Sequence, residues 1–262
     1  MSFNIRYDNP GDGLNVWENR KDIAAQTILF HDVDICGMQE VLDHQLQDLD
    51  ERLPEYDWIG VGRDDGEKKG EYAPIFFRPD RIQIIESGFF WLSETPDIAG
   101  SFGWDAACTR IVTWGKFSIR TTQEEFYFFN THFDHVGQAA RENSAELLLE
   151  KIESITSVHP VIVSGDFNCT QENKAYSILT SGQGEGSKLE DTRILSQTGH
   201  YGGTQTFNGF KPDLRPNNII DFIFVRNTGP VLSHGIFADR WDGQFVSDHY
   251  PVYAQVIIAK RD

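Results

Sequence analysis

Two oxygen-bearing side chains, Asp166 and Asn168, follow a short apolar run near the middle of the chain. The run Val161–Val163 is uncharged and β-branched, which predicts a buried central strand that Ser164-Gly165 ends. An extended backbone would place Asp166 and Asn168 on one face and turn Phe167 toward the core. Such a pair suits a hard cation and a phosphate, but Asp and Asn are equally the usual residues of helix N-caps and Asx turns. This segment alone leaves both interpretations open.

Polar side chains also stand where other predicted strands begin or end, at Asn4, Glu40, His132, Asp221 and Asp248-His249. In open α/β sheets, ligands bind in the crevice at the strand ends, so these groups are expected to converge on Asp166. Oxygen ligands of this kind suit Mg²⁺, and histidines beside them can act on a proton or a phosphate oxygen near neutral pH. Their shared placement favours a metal-assisted site over a set of unrelated caps and turns.

Six short motifs carry a resemblance to a known family: Ser2-Phe3-Asn4-Ile5-Arg6, Gln39-Glu40, Asn130-Thr131-His132, Gly165-Asp166-Phe167-Asn168, Ile220-Asp221-Phe222-Ile223 and Ser247-Asp248-His249. In this order they resemble the motif set of the endonuclease/exonuclease/phosphatase superfamily, which includes deoxyribonucleases, sphingomyelinases and inositol-phosphate phosphatases. Each motif alone is weak, whereas six in the family's order over nearly the whole chain are specific. The resemblance implies an α/β fold, a four-layer sandwich of two facing mixed β-sheets flanked by helices, as in deoxyribonuclease.

The resemblance also implies where a metal would bind. Glu40 would be the principal ligand of Mg²⁺, with Mn²⁺ as the alternative cation, and Asn4 and Asp248 would lie beside it. Asp166 and Asn168 would orient the attacking water and the phosphate, or hold a second metal.

Catalytic roles follow from the same resemblance. His249, paired with Asp221, would be the general base, and Asp166 is the other candidate for that role. His132 would hydrogen-bond a non-bridging phosphate oxygen in the transition state. Glu71 matches a glutamate that supports this histidine in the deoxyribonuclease branch, and Arg110 matches an arginine that contacts phosphate. For Glu71 and Arg110, a plain surface charge is the alternative interpretation.

Several segments resemble a bacterial branch of uncharacterised hydrolases within the superfamily. Trp17, Tyr72 and Trp104 lie in these segments and would stack on a base or a sugar ring, or else pack in the core or a lid. The pair Asp134-His135 would add metal ligands or cap the following helix, and capping is the favoured interpretation.

The composition is that of a globular protein whose charge favours small substrates. Of the 262 residues, 39% are hydrophobic, and the formal net charge is −17. Such a surface repels duplex nucleic acid, so a small phosphorylated metabolite, sugar phosphate or nucleotide is the preferred substrate, and cleavage of DNA or RNA is the alternative. A binding protein on an inactive version of the fold is a third hypothesis, which the presence of Glu40, Asp166 and His249 disfavours.

No apolar run approaches the roughly 20 residues that span a bilayer, so no membrane partner is expected, and we predict a monomer. The three cysteines, Cys36, Cys108 and Cys169, lack metal-ligand spacing and are expected to be small buried hydrophobes. The chain opens directly on a predicted core strand, so the missing leader indicates no compartment.

Hydrophobic periodicity and turn residues predict a single α/β domain over residues 1–262, without repeats or linkers. Helices are expected at Glu18–His31, His44–Leu53, Gln138–Ser157 and Lys174–Thr180. Strands are expected at Met1–Arg6, Val33–Met38, Trp58–Gly62, Ile111–Phe117, Phe126–Asn130, Ile219–Val225 and Tyr250–Ile258. The runs Tyr72–Phe77 and Arg81–Ser87 predict a hairpin joined at Arg78-Pro79-Asp80, and Arg63–Gly70 predicts a solvated turn.

Overall fold

The computed structural model of the protein describes residues 1–182, 188–211 and 217–259. Within these ranges the strands are β1 (Ser2–Asn4), β2 (Ile35–Gln39), β3 (Asp57–Ile59), β4 (Ile75–Phe77), β5 (Ile82–Trp91), β6 (Ile111–Ile119), β7 (Glu125–His132), β8 (Val161–Asp166), β9 (Glu190–Asp191), β10 (His200–Tyr201), β11 (Asp221–Arg226), β12 (Val231–Ile236), β13 (Arg240–Trp241), β14 (Gln244–Phe245) and β15 (Val252–Val256). The helices are α1 (Trp17–Phe30), α2 (Asp43–Arg52), α3 (Gln138–Ile155), α4 (Lys174–Ser181) and the short α5 (Thr192–Leu195), with a 3₁₀ helix at Pro10–Asn15.

Two mixed sheets face each other. The first has the order β10-β12-β15-β1-β2-β4-β3 and the second has the order β5-β6-β7-β8-β11-β9. Strands β1 and β2 are parallel in the first sheet, as are β7 and β8 in the second, and most other neighbours are antiparallel. Helices α1 and α2 pack on the outer face of the first sheet, and α3 and α4 pack on the outer face of the second. The predicted four-layer sandwich is confirmed.

The apolar stripe of α3 is buried as its spacing predicts. Ala145, Leu148, Leu149 and Ile152 are buried and face the second sheet, while Ile155 packs at the margin. This helix fixes the back of β8 because the same cluster contains the β8 residues Val161 and Val163. The strand that ends at Asp166 is therefore held from both faces.

The predicted hairpin of Tyr72–Phe77 with Arg81–Ser87 is wrong. Strand β4 lies between β2 and β3 in the first sheet, whereas β5 pairs with β6 in the second. Both edges of β4 are already occupied by neighbours, so β5 has no edge of it to pair with. Arg78-Pro79-Asp80 therefore carries the chain from one sheet to the other, a route that two apolar runs around a turn do not distinguish from a hairpin.

A buried asparagine joins the two sheets below the strand ends. Asn130 on β7 accepts hydrogen bonds from Gln39 Nε2 (2.7 Å) and Ser164 Oγ (2.9 Å), and it donates to the carbonyl oxygens of Met38 (2.6 Å) and Pro74 (3.0 Å). With every hydrogen-bonding capacity used, this buried amide is satisfied and fixes how the sheets face each other. The sheets approach so closely here that a Cβ on Gly37 would lie 2.1 Å from Ser164 Oγ.

Candidate active site

Three site residues lie side by side across the second sheet. His132 is in register with Asp166 on the parallel strand β8, and Asp166 is in register with Asp221 on β11. Because β11 runs antiparallel to β8, its first residue lies at the edge where β8 ends. Asn4 ends β1 and Glu40 directly follows β2, so both sheets deliver their predicted site residues to the same edge.

Asp166 is the centre of this group. Its Oδ2 lies 3.0 Å from Asn4 Nδ2, 3.4 Å from His132 Nε2 and 3.7 Å from His249 Nε2. Its Oδ1 accepts a hydrogen bond from the backbone N–H of Asn168 (3.0 Å). Burial, with the nearby charge of Asp221, raises the pKa of Asp166 to about 7. The carboxylate thus belongs to two clusters: the Glu40 cluster (Glu40, His132, Asp166) and the His249 cluster (Asp166, Asp221, His249).

In the His249 cluster one imidazole meets two carboxylates. His249 Nδ1 lies 2.9 Å from Asp221 Oδ2, which fixes the ring so that Nε2 faces Asp166. The backbone N–H of His249 donates to Ser247 Oγ (3.2 Å), whose hydroxyl donates to the carbonyl oxygen of Asn4 (2.7 Å). Burial alone would lower the pKa of His249, but Asp221 and Asp166 outweigh it and hold that pKa well above its usual range.

In the Glu40 cluster the histidine stays neutral. His132 Nε2 lies 3.0 Å from Asn168 Nδ2, and His132 Nδ1 lies 3.9 Å from Glu71 Oε2. Burial, followed by the charges of Arg110 and Arg63, holds the pKa of His132 well below its usual range. The two histidines that flank Asp166 are therefore electrostatically opposite.

The donor set of the Glu40 cluster fits a hard divalent cation. Ligand atoms of Glu40, His132 and Asp166 all lie within 4.8 Å of one another. Asp248 stands close by, 3.7 Å from Arg6 Nε, and its pKa is raised to about 6 by burial, with His249 opposing and Glu40 adding to the shift. Buried carboxylates with raised pKa values repel one another, and a cation bound among them would relieve that repulsion.

The amide of Asn4 is oriented by hydrogen bonds rather than as a metal ligand. Its Nδ2 donates to Glu40 Oε1 and to Asp166 Oδ2, both at 3.0 Å, and its Oδ1 accepts from the backbone N–H of Arg6 at 3.0 Å. In this arrangement the amide nitrogen positions two carboxylates, and a direct bond from Asn4 Oδ1 to a metal would require the amide to turn over. Its assignment as a ligand stays a prediction.

The backbone is strained at three strand ends around the site. Arg6 (φ 61°), Glu40 (φ 63°) and Asn168 (φ 48°) adopt the left-handed conformation. The predicted extended path through Asn168 is therefore wrong, although Phe167 is fully buried as expected. Asn168 reaches the site through its left-handed turn, where Nδ2 also donates to the carbonyl oxygen of Phe133 (3.0 Å).

Arg110 is buried beside His132, so the surface-charge interpretation is excluded for it. Arg110 Nε lies 3.4 Å from Asp134 Oδ2 and its Nη2 lies 3.0 Å from His135 Nδ1. Asp134 does not cap α3, because its Oδ1 accepts from the N–H groups of Val136 and Gly137, which precede that helix. The first turn of α3 is capped instead by Asp105, which accepts from the backbone N–H groups of residues 139 and 140. Asp134 therefore positions Arg110.

Two of the three aromatic candidates are packed away from any ligand. Trp17 and Tyr72 are buried, and their polar atoms donate to Asp48 (2.9 Å) and Asp43 (3.0 Å). Trp104 is partly exposed and has a left-handed backbone (φ 48°). Phe207, which the sequence analysis did not single out, lies edge-on to His249 with ring centroids 5.1 Å apart.

Three arginines near the site were also missed from the sequence. The guanidinium of Arg6 lies 3.0 Å from the carboxylate of Asp12, 3.9 Å from that of Glu40 and 3.7 Å from that of Asp248. Arg20 is fully buried on α1 and donates to backbone carbonyl oxygens, including those of Ile5 (2.7 Å) and Val246 (3.0 Å). Arg63 lies in the segment predicted to be a solvated turn and forms a two-bond fork with Glu71. For Arg6, its position in the motif Ser2-Phe3-Asn4-Ile5-Arg6 was the sequence signal that could have indicated a place in the site.

Among the described residues, no helix is both long and apolar enough to cross a bilayer.

Comparisons with known proteins identify the family of this chain. Residues 1–249 match the model of the Endonuclease/Exonuclease/phosphatase family. A protein of that family from Bacteroides vulgatus is 46% identical, with a TM-score of 0.92 and coverage of 98% of this chain and 97% of the other. A mannosyl-6-phosphatase from Bacteroides thetaiotaomicron is 40% identical, with a TM-score of 0.90 and 98% of each chain covered. An uncharacterised protein of Acanthamoeba polyphaga mimivirus is 28% identical over 254 residues, 90% of each chain. The chain therefore belongs to the endonuclease/exonuclease/phosphatase family.

Proposed function

We propose that this protein is a divalent-metal-dependent phosphomonoesterase that acts on a phosphorylated sugar, with Mg²⁺ as the preferred cation and Mn²⁺ as an alternative. The observation that carries the proposal is the arrangement around Asp166, with a cluster suited to proton transfer on one side and a cluster suited to metal and phosphate on the other. The mannosyl-6-phosphatase that is 40% identical over 98% of this chain supports the choice of substrate class.

The residues divide the reaction between them. His249, oriented by Asp221, accepts the proton of the attacking water at Nε2 in its neutral form. A cation among the carboxylates would favour that form, because it would offset the negative charges that raise the pKa of His249. A phosphate oxygen bound here would take the place of His132 Nε2 as an acceptor for Asn168 Nδ2, since the two nitrogens are 3.0 Å apart. His132 would donate to the same phosphate from Nε2 once the negative charge of the phosphate favours a proton on that nitrogen. Arg110 adds positive charge beside them. A divalent cation held by Glu40, Asp166 and Asp248, with Asn4 beside them, would neutralise phosphate charge and acidify a nearby water.

The surface charge supports a small substrate. With 40 acidic and 23 basic residues, the chain carries a net negative charge that disfavours a long polyanion. A sugar phosphate carries at most two charges and meets Arg110 and the cation locally. The same proposal makes residues 1–262 one catalytic domain that acts as a monomer without nucleic-acid or membrane partners.

Phosphate release tests the proposal directly. The protein would be assayed with Mg²⁺, Mn²⁺ or EDTA against mannose 6-phosphate, glucose 6-phosphate, nucleoside monophosphates, bis(p-nitrophenyl) phosphate and supercoiled plasmid. We expect metal-dependent release from the hexose phosphates, abolished by EDTA, that exceeds nicking of the plasmid. Efficient nicking with no release from the hexose phosphates would overturn the proposal in favour of a nuclease.

A further inference from the structure

The segment Arg63–Gly70 is an ordered, braced turn. The backbone N–H of Gly62 donates to the carbonyl oxygen of Glu67 (3.0 Å), and that of Asp64 donates to that of Lys69 (3.0 Å). A Cβ on Gly62 would lie 2.3 Å from the carbonyl oxygen of Lys69, so the close approach requires glycine. The buried indole of Trp91 donates to the carbonyl oxygen of Arg63 (2.6 Å). Arg63 is thereby fixed at the base of the turn rather than free in solvent.

The side chain of Arg63 holds Glu71 against the phosphate side of the site. Arg63 Nη1 donates to Glu71 Oε2 (2.7 Å) and Nη2 donates to Oε1 (2.9 Å), and the backbone N–H of Arg63 donates to the carbonyl oxygen of Glu71 (3.1 Å). The two side chains are only 13% and 17% exposed. A bidentate pair this sheltered fixes the plane of the carboxylate, unlike a mobile surface ion pair.

The tautomer of His132 follows from its neighbours. Asn168 Nδ2 has two hydrogens, of which one reaches the carbonyl oxygen of Phe133 and the other reaches His132 Nε2, both at 3.0 Å. A ring nitrogen that accepts a hydrogen bond carries no proton, so the proton of neutral His132 is on Nδ1. That N–H points toward Glu71 Oε2, 3.9 Å away, which is too far for a direct hydrogen bond.

A small void lies between these groups. Its volume is about 10 Å³, and its lining includes Arg63, Glu71, Arg110 and His132. Three of the lining residues each carry a buried nitrogen without a hydrogen-bond partner among the described residues: Arg63 Nε, Arg110 Nη1 and His132 Nδ1. Buried donors are costly when unpaired, and a space of this size holds one water.

We propose that Arg63 is a positioning residue for His132 and acts through Glu71 and one buried water. The water accepts hydrogen bonds from His132 Nδ1 and Arg110 Nη1 and donates to Glu71 Oε2, which the fork from Arg63 holds in place. The chain Arg63–Glu71–water–His132 holds the ring by its Nδ1 side, so that Nε2 stays against Asn168 Nδ2, where the phosphate would bind. This inference rests on the proposed function, because it assigns Arg63 a part in the same site. It also explains why an arginine is needed, since lysine has no fork.

Kinetics of matched variants test the positioning role. Arg63→Met removes the two-bond fork to Glu71, and Arg63→Lys keeps the positive charge without the fork. Glu71→Gln replaces the carboxylate that accepts the fork with a weaker, uncharged acceptor. Arg226→Met is the control, because Arg226 is a buried arginine paired with Glu153 (3.0 Å) at the far end of the strand that begins with Asp221. We expect kcat to fall about 10–100-fold in Arg63→Met with KM changed less than about threefold, a partial recovery in Arg63→Lys, and unchanged kcat in Arg226→Met.

A double-mutant cycle separates positioning from general loss of structure. If Arg63 acts through Glu71, then adding Arg63→Met to Glu71→Gln should lower kcat by less than about threefold further. Full kcat in Arg63→Met, multiplicative losses in the double variant, or an equal loss in Arg226→Met would each overturn the inference.

A readout without turnover keeps this test independent of the proposed function. In wild-type protein the His132 Nδ1 proton should give a slowly exchanging NMR signal, which Arg63→Met should remove and Arg226→Met should leave in place. A crystal structure at high resolution should contain one water in the void. A persistent signal in Arg63→Met or a dry void would contradict the inference, whereas a wild-type protein that is inactive on every phosphate ester but has this signal would contradict only the proposed function.

Discussion

The two clusters that share Asp166 differ in what surrounds their histidine. In the His249 cluster, Asp221 lies 2.9 Å from the ring and Asp166 lies on its other side, so the negative charges favour a proton on the imidazole. In the Glu40 cluster, burial and the guanidinium groups of Arg110 and Arg63 disfavour a proton on the imidazole of His132. The fold thus places the same residue type at similar distances from one carboxylate in two opposite electrostatic settings. The proposed function assigns proton transfer to the His249 cluster and the binding of metal and phosphate to the Glu40 cluster.

The largest expected effect is on the His249 cluster. His249→Ala should lower kcat by about 10³–10⁴-fold, because no other group in that cluster is oriented to accept the proton at the same place. The fold should persist, because His249 lies in the segment before β15 and not in the apolar core, and circular dichroism and the melting temperature would check this. Wild-type turnover in His249→Ala would remove the general-base role and make Asp166 the candidate.

A smaller loss is expected when the partner of His249 is changed. Asp221→Asn should lower kcat about tenfold less than His249→Ala does, because the base remains and only its orientation and charge are disturbed. The pH profile of kcat should shift toward the free-histidine value in this variant. A loss as large as that of His249→Ala would mean that Asp221 does more than orient the ring.

In the Glu40 cluster, Glu40→Gln should weaken divalent-metal binding by about tenfold or more, since it removes one negative oxygen from the ligand set. The rise of the melting temperature with added Mg²⁺ reports this without turnover, because a ligand of the folded state stabilises it. The matched change Glu142→Gln, at a half-buried carboxylate paired with the exposed Lys174, should leave the Mg²⁺ response unchanged. An unaltered response in Glu40→Gln would displace the metal from this cluster.

A change at His132, the proposed phosphate contact, should lower turnover without weakening metal binding. His132→Ala should lower kcat by about 10²-fold while the Mg²⁺ response stays close to wild type, because removal of one group that faces the developing charge typically costs that much. A simultaneous loss of the Mg²⁺ response would make His132 a metal ligand rather than a phosphate contact.

The smallest effect concerns stability in metal-free protein. The raised pKa of His249 contributes stability that is present below the unfolded-state pKa and is lost as pH rises through the folded-state pKa. The lowered pKa of His132 contributes stability that is present above the unfolded-state pKa of 6.5 and is lost on acidification. His249→Asn should therefore cost more stability at acid than at alkaline pH, and His132→Asn should show the opposite trend.

Melting temperatures measured in EDTA across pH would check these trends, at roughly 2–4 °C for each kcal/mol. Parallel pH dependence in the two variants would remove the electrostatic difference between the clusters.

Most motif residues were predictable from the sequence because they stand at or next to a strand end. His132 ends β7, Asp166 ends β8 and Asp221 begins β11, and a short apolar strand leaves little freedom for the residue at its end. His249 lies three residues before β15 and reaches the same edge of the sandwich. Asn168 was placed for the wrong reason, since a left-handed turn and not strand alternation directs it. The position of a residue after a strand is therefore better predicted than the direction of its side chain.

The support around the motifs was not predictable. Arg63 stands in a run of charged and glycine residues, whose composition is that of a solvated turn, and only tertiary contacts with Glu71 and Trp91 make it part of the site. The prediction of a hairpin at Arg78-Pro79-Asp80 failed for a similar reason, because strand pairing depends on which strand edges are already occupied. Local sequence carries neither piece of information.

The most direct test of the difference between the clusters is a ¹⁵N NMR titration of the two histidines in metal-free protein, assigned with His132→Asn and His249→Asn. His249 should stay protonated to a higher pH than a free histidine, and His132 should stay neutral to a lower pH, so that the two midpoints lie on opposite sides of 6.5. Two midpoints that coincide near 6.5, or that lie in the reverse order, would contradict the division of roles around Asp166.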